Sequence, residues 1–172
     1  MELNFSSNIQ KEAVFAHISQ YLEKQAIAFD KKDDTRPWGG FFVINEQEAE
    51  KFIALYFPHL TSRELSISGK LSPKILVVAP EKRLSWQYHH RRAEIWKLIG
   101  GVAGVVTSDT DEEKETTHLK IGDIIQLEQG ERHRLIGLPG GWGIVAEIWR
   151  HTDAANPSNE DDIIRLQDDF GR

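Results

Sequence analysis

Along the 172 residues the texture of apolar and polar positions changes once, and that change divides the chain. Near the start Ile9, Ala13, Val14, Ile18, Tyr21 and Leu22 recur at helical spacing, which predicts a helix with one apolar face, capped by Ser6 or Ser7. From Phe29 to Pro37 the chain is polar and charged and reads as a connection. In RPWGGFFVI, Pro37 and a Gly pair bracket a short strand of bulky residues. Asn45 then fits a helix N-cap with Glu48 closing a capping box, and Ala49, Phe52, Ile53 and Tyr56 form one face of a second helix that should stop at Pro58.

From Leu65 onward the pattern is one of short alternating or apolar segments separated by turns, as in an antiparallel barrel or sandwich. LSISGKLSPKILVVAP predicts two strands, AEIWKLIGGVAGVVT two more broken at Gly100 and Gly101, THLKIGDIIQLEQ a further pair, and WGIVAEIWR a last central strand. SDTDEEKET is a solvated hairpin tip whose acidic crowding discourages edge pairing. ANPSNEDD is a loop, and DIIRLQDDFGR closes the chain. The expectation is a mainly β fold: residues 1–60 form an N-terminal helical extension whose strand at 35–44 joins the barrel, and residues 61–172 form the barrel itself.

Composition removes several classes of function. A formal charge of -6 argues against a nucleic-acid surface, which needs a basic stripe. With 0 Cys there is no disulfide framework, thiolate metal site or Cys nucleophile. MELNFSSNIQKEAVF lacks a basic n-region and a long apolar core, and no later run reaches membrane-span length, so the reading is a cytoplasmic protein with no membrane partner.

The candidate chemistry sits in PEKRLSWQYHHRRAEIWKLIGG, where Gln87, His89 and Glu94 fall close together between two mostly apolar runs. His133 follows in GERHRL, after a strand and a turn. Two imidazoles, a carboxylate and an amide oxygen make a mixed N/O donor set for one divalent metal ion, Zn first, with Mn, Fe, Co or Ni as alternatives. An ion with open positions would act as a Lewis acid on a hydroxy-carbonyl compound while a proton moves between neighbouring carbons. A side chain must carry that proton. Glu147, Lys82 and His90 are the candidates, Glu147 because a charge inside an apolar strand needs a reason to be there. Ser85 shares the face of Gln87, whereas His90 points away from that of His89. Trp38, beside Gly39 and Gly40, is the tryptophan best placed to line a pocket.

The spacing from Glu81 through Gln87, His89 and Glu94 to Gly101 resembles the first cupin motif, G(X)5HXH(X)4E(X)6G, with Glu81 in place of Gly and Gln87 in place of the first His. Gly122, Glu128, Gly130, His133 and Gly137 similarly follow the second, G(X)5PXG(X)2H(X)3N, with Glu128 for Pro and Gly137 for Asn. LSWQYHHRRAEIW, HRLIGLPG, VAEIWR and EDDIIRLQDDFGR, with the earlier RPWGGF, are more narrowly similar to segments of the cupin domain of type II phosphomannose isomerases. In that family the domain is often fused behind a nucleotidyltransferase, which 172 residues are too few to include.

The resemblance implies a cupin double-stranded β-helix with the N-terminal helices packed outside, and interconversion of mannose 6-phosphate and fructose 6-phosphate. It implies a small-molecule sugar phosphate as partner and allows a homodimer. Arg165 and Arg172 match the arginines of the terminal motif, and a guanidinium fork suits phosphate, with Arg172 also expected at the reaction site. A Glu at position 81 would strain a turn that requires positive φ. The alternatives are a non-catalytic sugar-binding or sensing cupin that keeps its metal and, less favoured, a cupin oxygenase.

Overall fold

The computed structural model describes residues 2–66 and 69–172. Helix α1 (Lys11–Lys24) buries Val14, Phe15, Ile18 and Leu22 on one side. Its N-cap is Gln10 rather than Ser6 or Ser7, and the Ser6 hydroxyl bonds the Asn8 side chain instead. The segment read as a connection contains strand β1 (Phe29–Asp33), which pairs with β2 (Gly39–Ile44). β1 escaped the hydrophobic pattern because it is an edge strand with its lysines exposed and, of its five residues, only Asp33 buried.

Asn45 does cap, but a 3-10 turn (Glu46–Glu48): its Oδ1 accepts the Gln47 N–H at 2.9 Å, while Glu48 pairs with Lys51 instead of closing a box. Helix α2 (Ala49–Tyr56) follows, and the capping box lies one helix later, between Thr61 and Glu64 at the start of α3 (Ser62–Leu65). A strand from Leu65 was expected here. Leu65 instead ends α3, and Ile67 and Ser68 fall outside the described residues.

The remaining strands are β3 (Lys74–Val78), β4 (Trp86–Tyr88), β5 (Arg92–Gly101), β6 (Ala103–Ser108), β7 (Thr117–Leu119), β8 (Ile124–Leu127), β9 (Arg132–Gly137), β10 (Gly143–His151) and β11 (Ile164–Gln167). They form two antiparallel sheets, in the orders β1-β2-β3-β10-β5-β8 and β11-β4-β9-β6-β7. β10 is central, as read from its apolar pattern, but β11 follows it, formed by four exposed residues with no apolar face to announce them. The strand expected to join the barrel from the N-terminal extension does so as β2, and it brings β1 with it.

Side-chain alternation on the six-stranded sheet produces two cores. On one face Phe42 and Ile44, Ile75 and Val77, Ile95, and Ile144, Ala146 and Ile148 pack against α1 and α2. Phe15 of α1 stacks on Phe42 with ring centroids 5.4 Å apart. The opposite residues, Phe41, Leu76, Val78, Trp96, Leu98 and Val145, face Leu135 and Val105 of the other sheet inside the barrel. The helices thus cover the outer face and leave the interior to the site.

Two backbone positions shape the site's frame. Gly101 ends β5 at φ +68°, and a Cβ there would run into the carbonyl of Trp142. Glu81 adopts φ +60°, the left-handed conformation expected to strain a side chain there. Among the described residues no helix is long and apolar enough to cross a membrane.

Candidate metal centre

Strand register brings the site together. Across the five-stranded sheet Arg165, Gln87 and His133 are successive partners, so one row carries a guanidinium, an amide and an imidazole. Across the facing sheet Lys74, Glu147 and Trp96 form another row, with Trp149 and Glu94 paired next to it. Arg92, Glu94 and Trp96 share a face of β5 by simple alternation. Apart from His133, the residues of both rows line a cavity of about 440 Å³.

Glu94 borders this cavity, and behind it His89, Glu94 and His133, each buried, bring one ligand atom apiece within 4.8 Å of one another. His89 Nε2 lies 3.1 Å from Glu94 Oε1, and His133 Nε2 lies 3.5 Å from Oε2. Each ring is held from behind. His89 Nδ1 donates to the Asp162 carbonyl at 2.7 Å and His133 Nδ1 to the Glu131 carbonyl at 3.0 Å, so both rings turn Nε2 toward the same carboxylate. This is the arrangement metal-binding imidazoles adopt, with the far nitrogen bonded to a carbonyl. His133 Nε2 is buried with no hydrogen-bond partner, which is costly for a structural residue and natural for a ligand.

The electrostatics agree with that donor set. Burial pushes His89 below the usual imidazole value against the pull of Glu94, favouring the neutral ring. Burial also opposes ionisation of Glu94, but attraction to His89, then to Arg92 at 2.8 Å, with polar contacts from both imidazoles, holds it well below the ordinary carboxylate range. The residues present therefore fit a divalent ion with N and O ligands. Gln87 borders the same cavity, its amide oxygen accepting the Ser85 hydroxyl at 2.6 Å.

Glu147 enters from β10 and is fully sequestered. Its Oε2 accepts the Trp96 indole N–H at 2.7 Å and its Oε1 that of Trp149 at 2.9 Å. Burial, then proximity to Glu94, pushes this carboxyl up to about 8. Trp38 lines the cavity, as its position beside the Gly pair suggested. Arg165 and Arg172 reach the rim, where Arg36 joins them. Arg172 is chelated by Asp168 at 2.8 and 3.2 Å. Arg165 makes no ion pair among the described residues, and burial followed by the nearby Arg172 lowers its pKa.

Two of the candidate proton carriers lie elsewhere. Lys82 is exposed in the turn after Glu81 and does not border the cavity, because the turn directs it to solvent. His90 is exposed too, its backbone N–H tied to Asp162. The structure adds residues the sequence reading passed over. Arg92 is buried, stacks 3.6 Å from the Trp149 ring and bonds both Glu94 and the loop at Ser158. Lys74 is buried beside Trp149 and ion-pairs with Glu160 at the cavity mouth. Their signals were present: Arg92 lies two positions before Glu94 on one strand face, and Lys74 opens an otherwise apolar strand.

Two antiparallel sheets closed around a buried His/Glu/His set define a cupin double-stranded β-helix. A family model described as Mannose-6-phosphate isomerase C-terminal matches residues 44–168, and the chain belongs to that family. It is 32% identical over 128 residues to the alginate biosynthesis protein AlgA of Pseudomonas aeruginosa, covering 73% of this chain and 24% of AlgA. To the xanthan biosynthesis protein XanB of Xanthomonas campestris it is 29% identical over 119 residues, covering 69% of this chain and 23% of XanB. The chain thus spans about a quarter of the length of the curated relatives it matches. Among solved structures, the capsular polysaccharide assembling protein CapF of Staphylococcus aureus superposes with a TM-score of 0.52 at 11% identity, over 82% of this chain and 34% of that one.

Proposed function

We propose that this protein is a metal-dependent aldose–ketose isomerase of a hexose phosphate, with mannose 6-phosphate and fructose 6-phosphate as the pair. The observation that carries this reading is a second buried carboxyl, Glu147, which lines one cavity with Glu94 of the His89–Glu94–His133 set and shares the Trp96 indole N–H with it. A divalent ion held by those three residues, with Gln87 alongside, would polarise the sugar carbonyl.

Glu147 takes the proton from C2 of the open-chain aldose and returns it to C1. As it leaves C2, the C–H electron pair forms the C1–C2 double bond and charge moves to O1; the O2 hydroxyl proton then passes to O1, and return of the first proton to C1 leaves the C2 carbonyl of the ketose. The two indole donors hold the carboxyl in place, and its raised basicity lets it gain and lose a proton near neutral pH. Lys74 sets a positive charge against the oxygens, and Trp38 and Trp149 line the walls. Ser85 keeps the Gln87 amide turned. At the rim Arg165, Arg172 and Arg36 receive the phosphate, for which guanidinium forks are suited. The partner is therefore a small sugar phosphate.

The test is isotope exchange: incubating the metal-loaded protein with mannose 6-phosphate in deuterated water. Deuterium entering the sugar at C2 and C1 supports the isomerase. Tight binding of the sugar phosphate without exchange makes the protein a binding cupin instead.

A further inference from the structure

We propose that Asp162 is the positioning residue of the metal centre, fixing the tautomer and ring plane of His89. The inference takes its purpose from the metal-centre reading, but its geometry stands apart from it. Asp162 is buried, and its carboxylate accepts two consecutive backbone N–H groups, His90 and Arg91, each at 2.9 Å. Ser158 Oγ donates to the same carboxylate at 2.6 Å. The side chain thus clamps the backbone immediately after His89 to the loop before β11. The clamp brings the carbonyl of Asp162 itself to 2.7 Å from His89 Nδ1.

Two acceptors compete for the one proton of the neutral His89 ring. Glu94 Oε1 stands 3.1 Å from Nε2, and a charged carboxylate is ordinarily the stronger acceptor. Were it to win, Nε2 would carry the hydrogen and could not bind a cation. The shorter contact to the Asp162 carbonyl instead commits the proton to Nδ1. Arg92 completes the arrangement: its Nη2 lies 3.3 Å from His89 Nε2 and its Nε 2.8 Å from Glu94 Oε1, so one guanidinium donates to both. The same guanidinium bonds Ser158 Oγ at 2.8 Å and the Asp162 carbonyl at 3.3 Å. Ligand, clamp and loop are therefore one connected unit. Asp162 touches no reacting atom in this account and acts only through His89.

The experiment reads the His89 tautomer directly, in isotope-labelled, metal-free protein at mildly alkaline pH, from proton–nitrogen correlation spectra of the imidazoles, with His89→Gln assigning the signal. The wild type should show the Nδ1–H form. In Asp162→Ala and Asp162→Asn the population should move toward Nε2–H, and zinc affinity should fall about 10- to 100-fold. Asn retains one acceptor oxygen and serves if the Ala variant does not fold. Ile18→Ala, which opens the helix-side core away from the site, should leave tautomer and affinity unchanged. The inference is overturned if His89 keeps Nδ1–H in both Asp162 variants, or if Ile18→Ala shifts it equally. A wild type that takes up no zinc defeats the metal-centre reading, while the tautomer comparison still decides this one.

Discussion

Trp149 Nε1 donates to Glu147 Oε1 at 2.9 Å, two residues apart on the same face of β10. With Trp96 on the other oxygen, the carboxyl is fixed by donors that cannot themselves take a proton. Glu147→Gln keeps the volume and removes the base. Turnover of the hexose phosphate should drop by roughly a hundred- to ten-thousandfold with KM little changed, as for loss of a general base. A fall in KM-dependent binding alone, with kcat intact, would assign Glu147 a structural part.

The arginines at the rim should divide binding from chemistry. Arg165→Ala removes a guanidinium that makes no ion pair among the described residues, and KM for a phosphorylated hexose should rise about tenfold or more, the worth of one charge-assisted hydrogen bond. The same variant should bind an unphosphorylated hexose as the wild type does. Equal losses for both sugars would remove the phosphate from this rim.

His151 predicts the acid limit of stability. It is buried, its Nδ1 accepts the Ser158 N–H at 2.9 Å, and burial, then Lys70 and Arg92, pushes its pKa down from 6.5 to about 4. A histidine with a depressed folded value favours the fold in its neutral form. Its contribution, on the order of 3 kcal/mol, is present above 6.5 and is lost as pH falls toward 4. Asp162, held at about 2 where burial is outweighed by the Ser158, His90 and Arg91 hydrogen bonds, then loses its own contribution between 3.8 and 2. Thermal melts across the acid range should fall steeply in the first window, and His151→Asn, which keeps the acceptor without the titration, should flatten that slope.

Much of the barrel was legible because inward and outward residues alternate between two apolar cores. β2, β3, β5, β6 and β10 all bury both faces, and apolar runs mark them. The His89–Glu94–His133 set was legible from motif spacing, since two ligands flank one turn and the third closes the neighbouring hairpin. Edge strands were not: β1 carries its charges outward and β11 is exposed throughout, so neither shows a pattern. Arg92, Lys74 and Asp162 were passed over for a different reason. Their roles depend on which strand lies beside which, and Arg92 and Asp162 each sit in a charged pair, Arg91–Arg92 and Asp161–Asp162, that reads as solvated surface. One member of each pair is buried.

Glu81 offers a stability gain outside the site. At φ +60° it holds a conformation that disfavours any Cβ, and its side chain is exposed. Glu81→Gly relieves that strain at some cost in unfolded-chain entropy, for a net gain of about 0.5–1 kcal/mol. The midpoint of urea unfolding should rise while zinc binding stays as it was. A lower midpoint would mean that the turn is not strained.

In the proposed mechanism His89, Glu94 and His133 hold one metal ion that the isomerisation requires. Metal-stripped protein reloaded in turn with Zn, Mn, Co, Fe or Ni should take up one equivalent and recover conversion of mannose 6-phosphate to fructose 6-phosphate, whereas folded His133→Ala should do neither. Conversion that persists in stripped protein, or in His133→Ala, would mean that isomerisation needs no metal at this centre.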